Sequence, residues 1–417
     1  MSNIVLSDDQ QNAWDQFNNF LMDNNQKVFI LTGYSGTGKT TLVTELLEAI
    51  PSVKKTLKLI DPSNDFDYEL VCTATTNKAA QAFRDITGQE VHTIQSTLGL
   101  RVKSDHTDGT TSLIPNQGGT HLYKTLLFVD EASYVDNQLL NYIFKFTHDC
   151  KIVFIGDPGQ LIPINTSNAP ALESNYNSAH LSEVIRQIKG NPIINLATKF
   201  REVVETGNFF SFYPDNHYIC HFDRKNFNEE LRKEFTRSDW KHNDSKVLVW
   251  RNKTVINYNR FIRNLNTGIP DFYPGDYVTC NKYHKFPSGK VFRTDQLVQI
   301  KQISAKEYRY SIPGHVYTFE NDCSAFMPDS LSQMKQVLKK ARKNQDYNAT
   351  SEICDKWIDI RAAYSCTINK SQGSTYDQVF IDLDDVKLCN SNDQIARMLY
   401  VAVSRARYYV TFTGDLV

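Results

Sequence analysis

The segment GYSGTGKT at 33–40 combines glycines, a lysine and a threonine in a spacing suited to phosphate. It follows an apolar run and opens a segment with helical spacing, as G-x-x-x-x-G-K-[ST] loops do. Glycines let the backbone N–H groups face inward, and a helix N-terminus adds positive potential. The lysine can reach the β- and γ-phosphates, and the threonine hydroxyl can ligate Mg²⁺. We expect ATP and Mg²⁺ here, at Gly33, Gly36, Thr37, Gly38, Lys39, Thr40 and Thr41.

Two acidic residues end the apolar run LLFVDEAS at 126–133. A carboxylate at the end of a buried strand can hold Mg²⁺, and its neighbour can polarise the attacking water. We expect Asp130 to be a metal ligand and Glu131 to be the general base. Gln160, in GDPGQLIPI at 156–164, is a candidate for contact with the γ-phosphate and the water. Alone, each pattern also fits a solvated turn or a loop amide, and their order along the chain favours hydrolysis.

The runs that precede these residues have the composition of strands buried on both faces. They are rich in Val, Ile and Phe and lie at 27–33, 69–74, 125–133 and 151–157. Helical spacing separates them at 41–50 and 77–86. Strands that alternate with helices predict a parallel sheet in an α/β domain.

The α/β pattern returns at 245–265 and 378–414. Two segments of different composition interrupt the α/β pattern of the chain. Turn-forming residues at 99–121 predict a small hairpin with its tip near Asp108-Gly109. Short runs broken by Pro and Gly predict a small β-rich domain at about 270–325. A basic amphipathic helix follows at 330–345, where its lysines and arginine either contact nucleic acid or form a solvated face. A β-rich insertion therefore splits a second α/β domain.

Overall composition limits the class of protein. The 417 residues contain 46 Lys and Arg against 47 Asp and Glu, so no general basic excess indicates a nucleic-acid partner. The 41% hydrophobic and 22% charged content excludes a largely disordered chain. The sequence contains neither a membrane-spanning apolar stretch nor a secretory signal pattern. The eight cysteines form no C-x-x-C pair, which argues against zinc and fits reduced thiols in a cytosol.

Taken in order, these motifs resemble those of the superfamily 1 helicases. INKSQGSTYDQVFID at 368–382 and LYVAVSRAR at 399–407 are similar to the later motifs of that superfamily. The chain most resembles its 5′→3′ branch, which includes RecD-like enzymes and the Dda-type phage helicases. LSDDQ at 6–10 and LSEVIRQ at 181–187 match the Dda type. The resemblance covers residues 6–410.

The resemblance implies an α/β fold with two RecA-like P-loop NTPase domains. It adds a small β-hairpin insertion to the first domain and a Src-homology-3-like β-barrel insertion to the second. The implied first domain comprises 1–98 and 122–178, around a pin hairpin at 99–121. The implied second domain comprises 179–268 and 355–417, around a barrel and basic helical arm at 269–354.

The resemblance also assigns further residues to the ATP site. It implies that Gln10 reads the adenine edge and that Gly373 binds the nucleotide. Arg186 and Arg405 would be arginine fingers on the γ-phosphate, which contribute a factor of about 10³–10⁵ in related NTPases. Arginines from the second domain would make closure of the cleft between the domains depend on ATP.

Contacts with DNA are implied by TATTNKAA at 73–80, HTIQS at 92–96 and INKSQG. The matching residues are Thr76, Asn77, Lys78, Thr93, Gln95, Thr367, Asn369 and Lys370. The Dda type has histidine where this chain has Asn77 and Gln95, so any ring stacking there is lost.

The predicted hairpin also departs from the Dda type, which has an aromatic residue near its pin. Here the first aromatic is Tyr123, beyond the hairpin, and the nearest apolar candidates are Leu113 and Ile114.

The implied function is an ATP-dependent 5′→3′ DNA helicase that acts on single-stranded and forked DNA. The resemblance implies a monomer in a bacterial cytoplasm, phage-encoded or bacterial. Its partners would be replication or recombination proteins, including a single-strand-binding protein, and not a membrane. Two alternatives are a translocase that displaces proteins with weak unwinding, and a nucleotide-switched DNA-binding or loading module.

Overall fold

The computed structural model describes residues 6–60, 67–104, 111–163, 168–173, 175–183, 191–267 and 272–416. The chain forms two compact units. The first contains residues 1–211, 372–374 and 391–404, and the second contains 212–371, 375–390 and 405–417. Helices and strands are labelled in chain order.

The first unit is built on a parallel β-sheet flanked by helices. Its strands are β1 (Val28–Gly33), β2 (Glu69–Ala74), β3 (Val91–Thr93), β4 (Leu100–Ser104), β5 (Thr111–Pro115), β6 (Leu122–Tyr123), β7 (Thr125–Asp130), β8 (Thr147–His148), β9 (Lys151–Gly156) and β10 (Asn177–Leu181). Its helices are α1 (Asp8–Met22), α2 (Lys39–Ile60), α3 (Asn77–Thr87), α4 (Ile94–Thr97), α5 (Asn137–Phe146), α6 (Pro192–Thr206) and α13 (Asn392–Ser404). The six-stranded sheet has the order β10-β1-β9-β7-β2-β3.

Both faces of this sheet are buried, as the apolar runs predicted. Along β1, Phe29 and Leu31 pack on one side with apolar residues of α1, α2 and α3. Val28 and Ile30 pack on the other side with apolar residues of α5. Successive side chains of a strand point to opposite faces, so a strand is apolar throughout only where both faces are covered.

A buried lysine fastens helix α1 to the sheet. The ammonium of Lys151, the first residue of β9, donates to the carbonyl oxygens of Phe20 at 2.7 Å, Asp23 at 2.9 Å and Gln26 at 3.0 Å. Burial lowers the pKa of Lys151 to about 8. Three carbonyl acceptors match the three donors of the charged form, which favours the ammonium at neutral pH. Lys151 therefore satisfies carbonyls at and beyond the end of α1, where helix carbonyls lack internal partners.

Strands β4 and β5 pair antiparallel within the segment predicted to form a hairpin. The predicted tip at Asp108 and Gly109 lies outside the described residues. Gln138 of α5 accepts from the Leu113 N–H at 3.1 Å and donates to the Leu113 carbonyl at 3.2 Å. The Leu113 side chain packs against the core of the first unit. The base of the hairpin is thus fixed to α5, and Leu113 is a packing residue.

The second unit contains a parallel sheet and an antiparallel sheet. Its strands are β11 (Ile219–Phe222), β12 (Ser245–Val249), β13 (Tyr277–Cys280), β14 (His284–Lys285), β15 (Val291–Phe292), β16 (Leu297–Ile303), β17 (Glu307–Arg309), β18 (Ile312–Phe319), β19 (Ser324–Pro328), β20 (Ile360–Ala362), β21 (Ser365–Thr367), β22 (Tyr376–Asp382) and β23 (Ala406–Thr413). Its helices are α7 (Arg224–Phe235), α8 (Asn252–Thr267), α9 (Leu331–Lys343), α10 (Tyr347–Ser351), α11 (Ile368–Ser371) and α12 (Leu383–Val386).

The parallel sheet of the second unit has the order β11-β23-β22-β12-β21. The antiparallel sheet has the order β17-β18-β16-β13-β20, with β19 paired to β18. Its core includes Val278, Phe286, Phe292, Ile300 and Phe319. The β-rich segment predicted from Pro and Gly punctuation therefore has its own apolar core.

The division of the chain differs from the expected boundary between residues 178 and 179. Strand β10 crosses that position and pairs along its length with β1. Helix α6 also belongs to the first unit, which continues to Ser211. Helix α13 packs against α6 and joins the first unit, although it lies near the end of the chain. Chain order alone does not reveal such a non-local contact.

None of the helices in the described ranges is long and apolar enough to cross a membrane. All eight cysteines are free thiols. Within the same ranges, no group of three or more His, Cys, Asp and Glu side chains could hold a metal ion by itself.

Candidate active site

Neighbouring strands of the first sheet carry the predicted site residues at one edge. The loops after β1, β9, β7, β2 and β3 follow the carboxyl ends of these strands, which meet at the same edge of a parallel sheet. The structure brings together there 33–41, 76–78, Thr93, Gln95, Asp130, Glu131 and Gln160.

The loop between β1 and α2 has the curled backbone that its glycines predicted. Gly36 and Gly38 have φ values of 87° and 77°, a region that glycine adopts without strain. The Lys39 ammonium donates to the carbonyl oxygens of Gly33 at 2.6 Å and Tyr34 at 2.7 Å. The lysine charge therefore lies within the loop, where phosphate oxygens would accept from it.

Gln10 is attached to this loop from α1. Its side chain is only 3% exposed, and its Nε2 lies 3.5 Å from the Thr37 carbonyl. Its Oε1 accepts from the Ser7 N–H at 3.1 Å, completing a capping box at the start of α1. Thr40 and Thr41 lie in the first turn of α2, with Thr41 exposed. Gln10 thus braces the phosphate loop.

Asp130 and Glu131 lie at the end of β7. Burial raises the pKa of the Asp130 carboxyl to about 6, against the opposing effect of the Lys39 charge. Glu131 adopts φ 52° and ψ 43°, a left-handed conformation that is costly for a residue with a side chain. Its carbonyl accepts from the Thr75 hydroxyl at 3.0 Å. This left-handed conformation turns the chain from β7 into the short helical turn Ala132–Tyr134.

A chain of hydrogen bonds connects the phosphate loop to Gln160. The Ser35 N–H donates to the Tyr400 hydroxyl at 2.9 Å, and that hydroxyl donates to Asp157 at 2.6 Å. Asp157 is fully buried and also accepts from the Gly159 N–H at 2.9 Å and from Gln160 Nε2 at 3.3 Å. A buried carboxylate needs such donors, so Tyr400 and the loop around Gln160 stabilise each other's positions.

The same network continues beyond Gln160. Gln372 Nε2 donates to Gln160 Oε1 at 2.6 Å, and Gln372 Oε1 accepts from the Tyr134 hydroxyl. The Arg397 guanidinium donates to the carbonyl oxygens of Pro158 at 2.6 Å and Gln160 at 2.8 Å. Both ends of the Gln160 amide are therefore held, and its backbone is fixed as well.

Sequence reasoning did not single out Asp157, Gln372 or Tyr400. Each lies inside a motif that drew attention for another residue: GDPGQ, SQG and LYVAVSRAR. An acidic residue directly after a buried strand is a usable signal for Asp157. No local pattern indicates that Tyr400 reaches residues 35 and 157, because this contact depends on how α13 packs.

The donor set at this edge suits a nucleotide-bound divalent cation. Mg²⁺ bound with substrate phosphates needs only one or two protein oxygens and keeps several waters. Thr40 and Asp130 supply a hydroxyl and a carboxylate, and Lys39 supplies a charge for the phosphates. These residues fit ATP with Mg²⁺ without a separate protein metal cage.

Comparison with known proteins identifies the family. The description "AAA domain" applies to a sequence profile that matches residues 5–223, which is more than half of the chain. A second profile, the UvrD-like helicase C-terminal domain, matches residues 362–413. The chain belongs to the AAA domain family and, within it, to the RecD-like superfamily 1B helicases. It is an ATP-dependent DNA helicase.

Two full-length relatives and one solved structure illustrate the similarity. The helicase is 24% identical to the ATP-dependent DNA helicase dda of Enterobacteria phage T4, over 98% of this chain and 99% of that protein. It is 22% identical to the uncharacterized protein R530 of Acanthamoeba polyphaga mimivirus, over 95% and 97% of the two chains. The structure of a Bacteroides Pif1 helicase matches with a TM-score of 0.51 and 15% identity, over 100% and 94% of the chains. The last similarity shows the fold.

In the first unit of this helicase, two predicted strand-contact residues cap helices. Thr76 accepts from the Ala79 N–H at 3.1 Å at the start of α3, and Thr93 accepts from the Ser96 N–H at 3.3 Å at the start of α4. A hydroxyl that accepts in this way keeps its own proton for donation. Gln95 donates to the Thr75 carbonyl at 3.4 Å, which joins the two predicted motifs.

Gly373 of the helicase lies against the start of α3. A Cβ added there would lie 3.7 Å from backbone atoms of Ala79, and the φ of 73° favours glycine. The structure thus brings Gly373 to the segment that carries Asn77 and Lys78. It does so beside Gln372, whose amide contacts Gln160.

In the second unit, the predicted DNA contacts follow β21. Thr367 is 7% exposed, and Asn369 is half-buried in α11. The Lys370 ammonium donates to Asp295 at 2.7 Å and to the Asn281 amide oxygen at 3.1 Å. Its charge is therefore already partnered within this unit.

Of the two predicted arginine fingers, the structure describes Arg405 and does not describe Arg186. Arg405 is buried at 6% exposure, and its carbonyl accepts from the Tyr376 N–H at 2.8 Å, just before β23. Arg186 lies outside the described residues.

Proposed function

We propose that this helicase moves 5′→3′ along single-stranded DNA and unwinds forked duplex ahead of it. The observation that carries the motor assignment is the common sheet edge that bears Lys39, Asp130, Glu131 and Gln160 together with 76–78. The direction is supported by the motifs shared with 5′→3′ helicases. Binding of single-stranded DNA is supported by the Pif1 relative, whose structure contains ADP-AlF3 and ssDNA.

In the proposed hydrolysis, water attacks the γ-phosphorus of ATP and the bond to the ADP oxygen breaks. Glu131 accepts the proton of the attacking water, and Gln160 orients that water. Lys39 neutralises the phosphate oxygens, and Thr40 and Asp130 would hold Mg²⁺. The cation supplies charge stabilisation on the phosphates when it is bound.

Two arginines complete the proposed ATP site. We assign Arg405 and Arg186 the role of arginine fingers, on the strength of the motifs LYVAVSRAR and LSEVIRQ. Gln10 and Gly373 are assigned to the nucleotide on the strength of the motifs LSDDQ and INKSQG. Closure of a cleft between two RecA-like domains would then couple hydrolysis to movement.

Three predicted parts of the fold receive roles in this proposal. Residues 99–121 are the pin, and their β4–β5 pairing supports this role. The β-rich region at 269–354 is a Src-homology-3-like barrel with a helical arm, supported by its antiparallel strands and separate core. The two parallel sheets are the cores of the two RecA-like domains that were expected at 1–98 with 122–178 and at 179–268 with 355–417. The first domain extends through β10 and α6 to Ser211 and takes in α13, and the second is smaller by the same segments.

One observation favours a translocase that displaces proteins while unwinding weakly. Leu113 packs against the core of the first unit, which leaves Ile114 of the two apolar candidates named from the sequence. Displacement of a bound protein block at full rate, with little unwinding of a naked fork, would support this second candidate.

The cellular setting of this activity is also a proposal. We propose a monomer in the cytoplasm of a bacterial cell, working with replication or recombination proteins such as a single-strand-binding protein. The phage T4 relative supports this setting.

The deciding experiment compares unwinding of duplexes with a 5′ tail and with a 3′ tail. We expect ATP-dependent unwinding of the 5′-tailed substrate, and Lys39→Ala should abolish hydrolysis while retaining part of the DNA binding. Faster unwinding of the 3′-tailed duplex would contradict the direction. Full ATP hydrolysis by Lys39→Ala would contradict the site.

A further inference from the structure

Helix α9 carries a strongly basic face in a nearly neutral protein. Its sequence, LSQMKQVLKKARK, contains five cations and no acidic residue, whereas the whole chain has a net charge of −1. Lys335, Lys339 and Lys343 follow one another at four-residue intervals and are exposed. Residues four apart lie on the same side of a helix, so these three lysines form one row.

The opposite face of α9 is apolar and packs against the protein, so the lysine row faces solvent. Met334, Val337 and Leu338 pack against an apolar cluster formed by Ile312, Phe326, Ile353 and Trp357. Ala341, on the same side, is buried at 7% exposure. The apolar contacts hold the rotation of α9, and the lysine row lies on the side away from them.

Three other lysines of the second unit are neutralised by acidic side chains, in contrast to the α9 row. Lys301 pairs with Asp322 at 2.6 Å, Lys306 with Asp329 at 3.0 Å, and Lys356 with Glu352 at 2.8 Å. Across the described ranges, no ion pair joins an acidic side chain to the row. Like charges four residues apart destabilise a helix, so the row opposes helix formation.

Interaction with the helix dipole explains only some of the cations of α9. Cations in the last turn of a helix interact favourably with its dipole, which accounts for Lys340, Arg342 and Lys343. The effect is confined to that turn. It does not account for Lys335 and Lys339, which lie further from the C-terminal end.

We propose that the row of Lys335, Lys339 and Lys343 is a second DNA-binding surface that contacts the phosphodiester backbone. A rise of 1.5 Å per residue spaces the three lysines about 6 Å apart over about 12 Å. One strand of a duplex presents a phosphate every 3.4 Å along the axis, so the row spans about three or four phosphates. Phosphate contacts position DNA without reading its sequence, as a translocating enzyme requires.

This surface would increase the affinity of the helicase for DNA and would take no part in ATP hydrolysis. It rests on the assignment of the protein as a DNA helicase. ATP hydrolysis at saturating DNA therefore serves as a separate readout, because loss of that activity would indicate a fault in the motor and not in α9.

The test is the salt dependence of DNA binding by Lys335→Gln/Lys339→Gln/Lys343→Gln. The control is Lys301→Gln/Lys306→Gln/Lys356→Gln, which removes the same charge from lysines that are already paired. Fluorescence anisotropy would be measured with a labelled single strand, a blunt duplex and a fork. Counterion release predicts a slope of log K against log salt that is shallower by about 2 on a single strand or nearly 3 on a duplex.

The expected result is this change of slope in the α9 variant, no change in the control variant, and unchanged ATP hydrolysis at saturating DNA in both. The substrate that shows the change identifies whether the row contacts the tail or the duplex arm. Equal slopes for the α9 variant, the control variant and the unmodified protein on all three substrates would overturn the proposal and make the row a solvated face.

Discussion

Tyr400 connects parts of the proposed ATPase site that are distant in the chain. Its hydroxyl accepts from the Ser35 N–H of the phosphate loop and donates to buried Asp157, which also binds Gln160. Substrate charge at the phosphate loop could therefore be transmitted to Gln160 through hydrogen bonds alone. We regard Tyr400 as a positioning residue, since its contacts are with other protein groups.

Replacement of Tyr400 by Phe tests this role, because the ring is retained and the two hydrogen bonds are lost. A hydrogen bond to a charged group contributes about 1.5–3 kcal/mol, and 1.4 kcal/mol corresponds to about tenfold in rate. We expect kcat of DNA-stimulated ATP hydrolysis to fall about tenfold or more, with a smaller change in KM for ATP. Steady-state kinetics would measure both constants.

The matched control is Tyr408→Phe, which removes a hydroxyl from a tyrosine that is 56% exposed on β23. It should leave both constants unchanged. A Tyr400→Phe enzyme with unmodified kcat would show that Gln160 is positioned without Tyr400.

At the scale of secondary structure elements, α1 depends on a single charged side chain. Lys151 donates to three carbonyls at and beyond the C-terminal end of α1, and α1 carries Gln10 at its other end. A change at Lys151 thus removes support from the helix that braces the phosphate loop. The same helix packs on β1 through Phe17 and Phe20, so its loss would expose part of the core.

We expect Lys151→Met to lower the free energy of unfolding of the first unit by about 1–3 kcal/mol, because buried carbonyls lose their donors. Urea denaturation followed by fluorescence would measure the change. The comparison variant is Lys27→Met, whose charge forms an exposed ion pair with Asp149 and should matter by less than about 1 kcal/mol. Equal unfolding midpoints for the two variants would refute the role of Lys151.

At the scale of the whole molecule, the near-neutral charge implies a modest electrostatic grip on a short single strand. The predicted contacts at the first sheet edge are mainly Thr, Asn and Gln side chains and backbone N–H groups, and Lys370 is partnered by Asp295. A motor must release the strand in every cycle, and few ionic contacts make release easier.

We therefore expect a shallow salt dependence of binding to a short single strand. The slope of log K against log salt should correspond to a few phosphates at about −0.7 each. Anisotropy titrations with strands of increasing length would measure it. A slope corresponding to ten phosphates on the shortest strand would contradict the weak-grip interpretation.

The sequence by itself determined the local structure on which the proposed chemistry depends. The phosphate loop, the Asp130–Glu131 pair and the strands before them were predictable, because glycine conformation, helix N-termini and apolar runs act over a few residues. The β-rich segment was predictable from the Pro and Gly residues that interrupt its short runs. The basic helix was predictable from its spacing, since apolar residues three and four apart define a packing face.

Only the tertiary structure decided which distant residues meet. Local pattern places α13 at the end of the second domain, but its packing on α6 places it in the first unit, where Tyr400 reaches Ser35 and Asp157. The extension of the first unit through β10 and α6 was missed for the same reason. Side-chain networks and domain boundaries depend on contacts between segments far apart in the chain, and a one-dimensional pattern contains no distance between them.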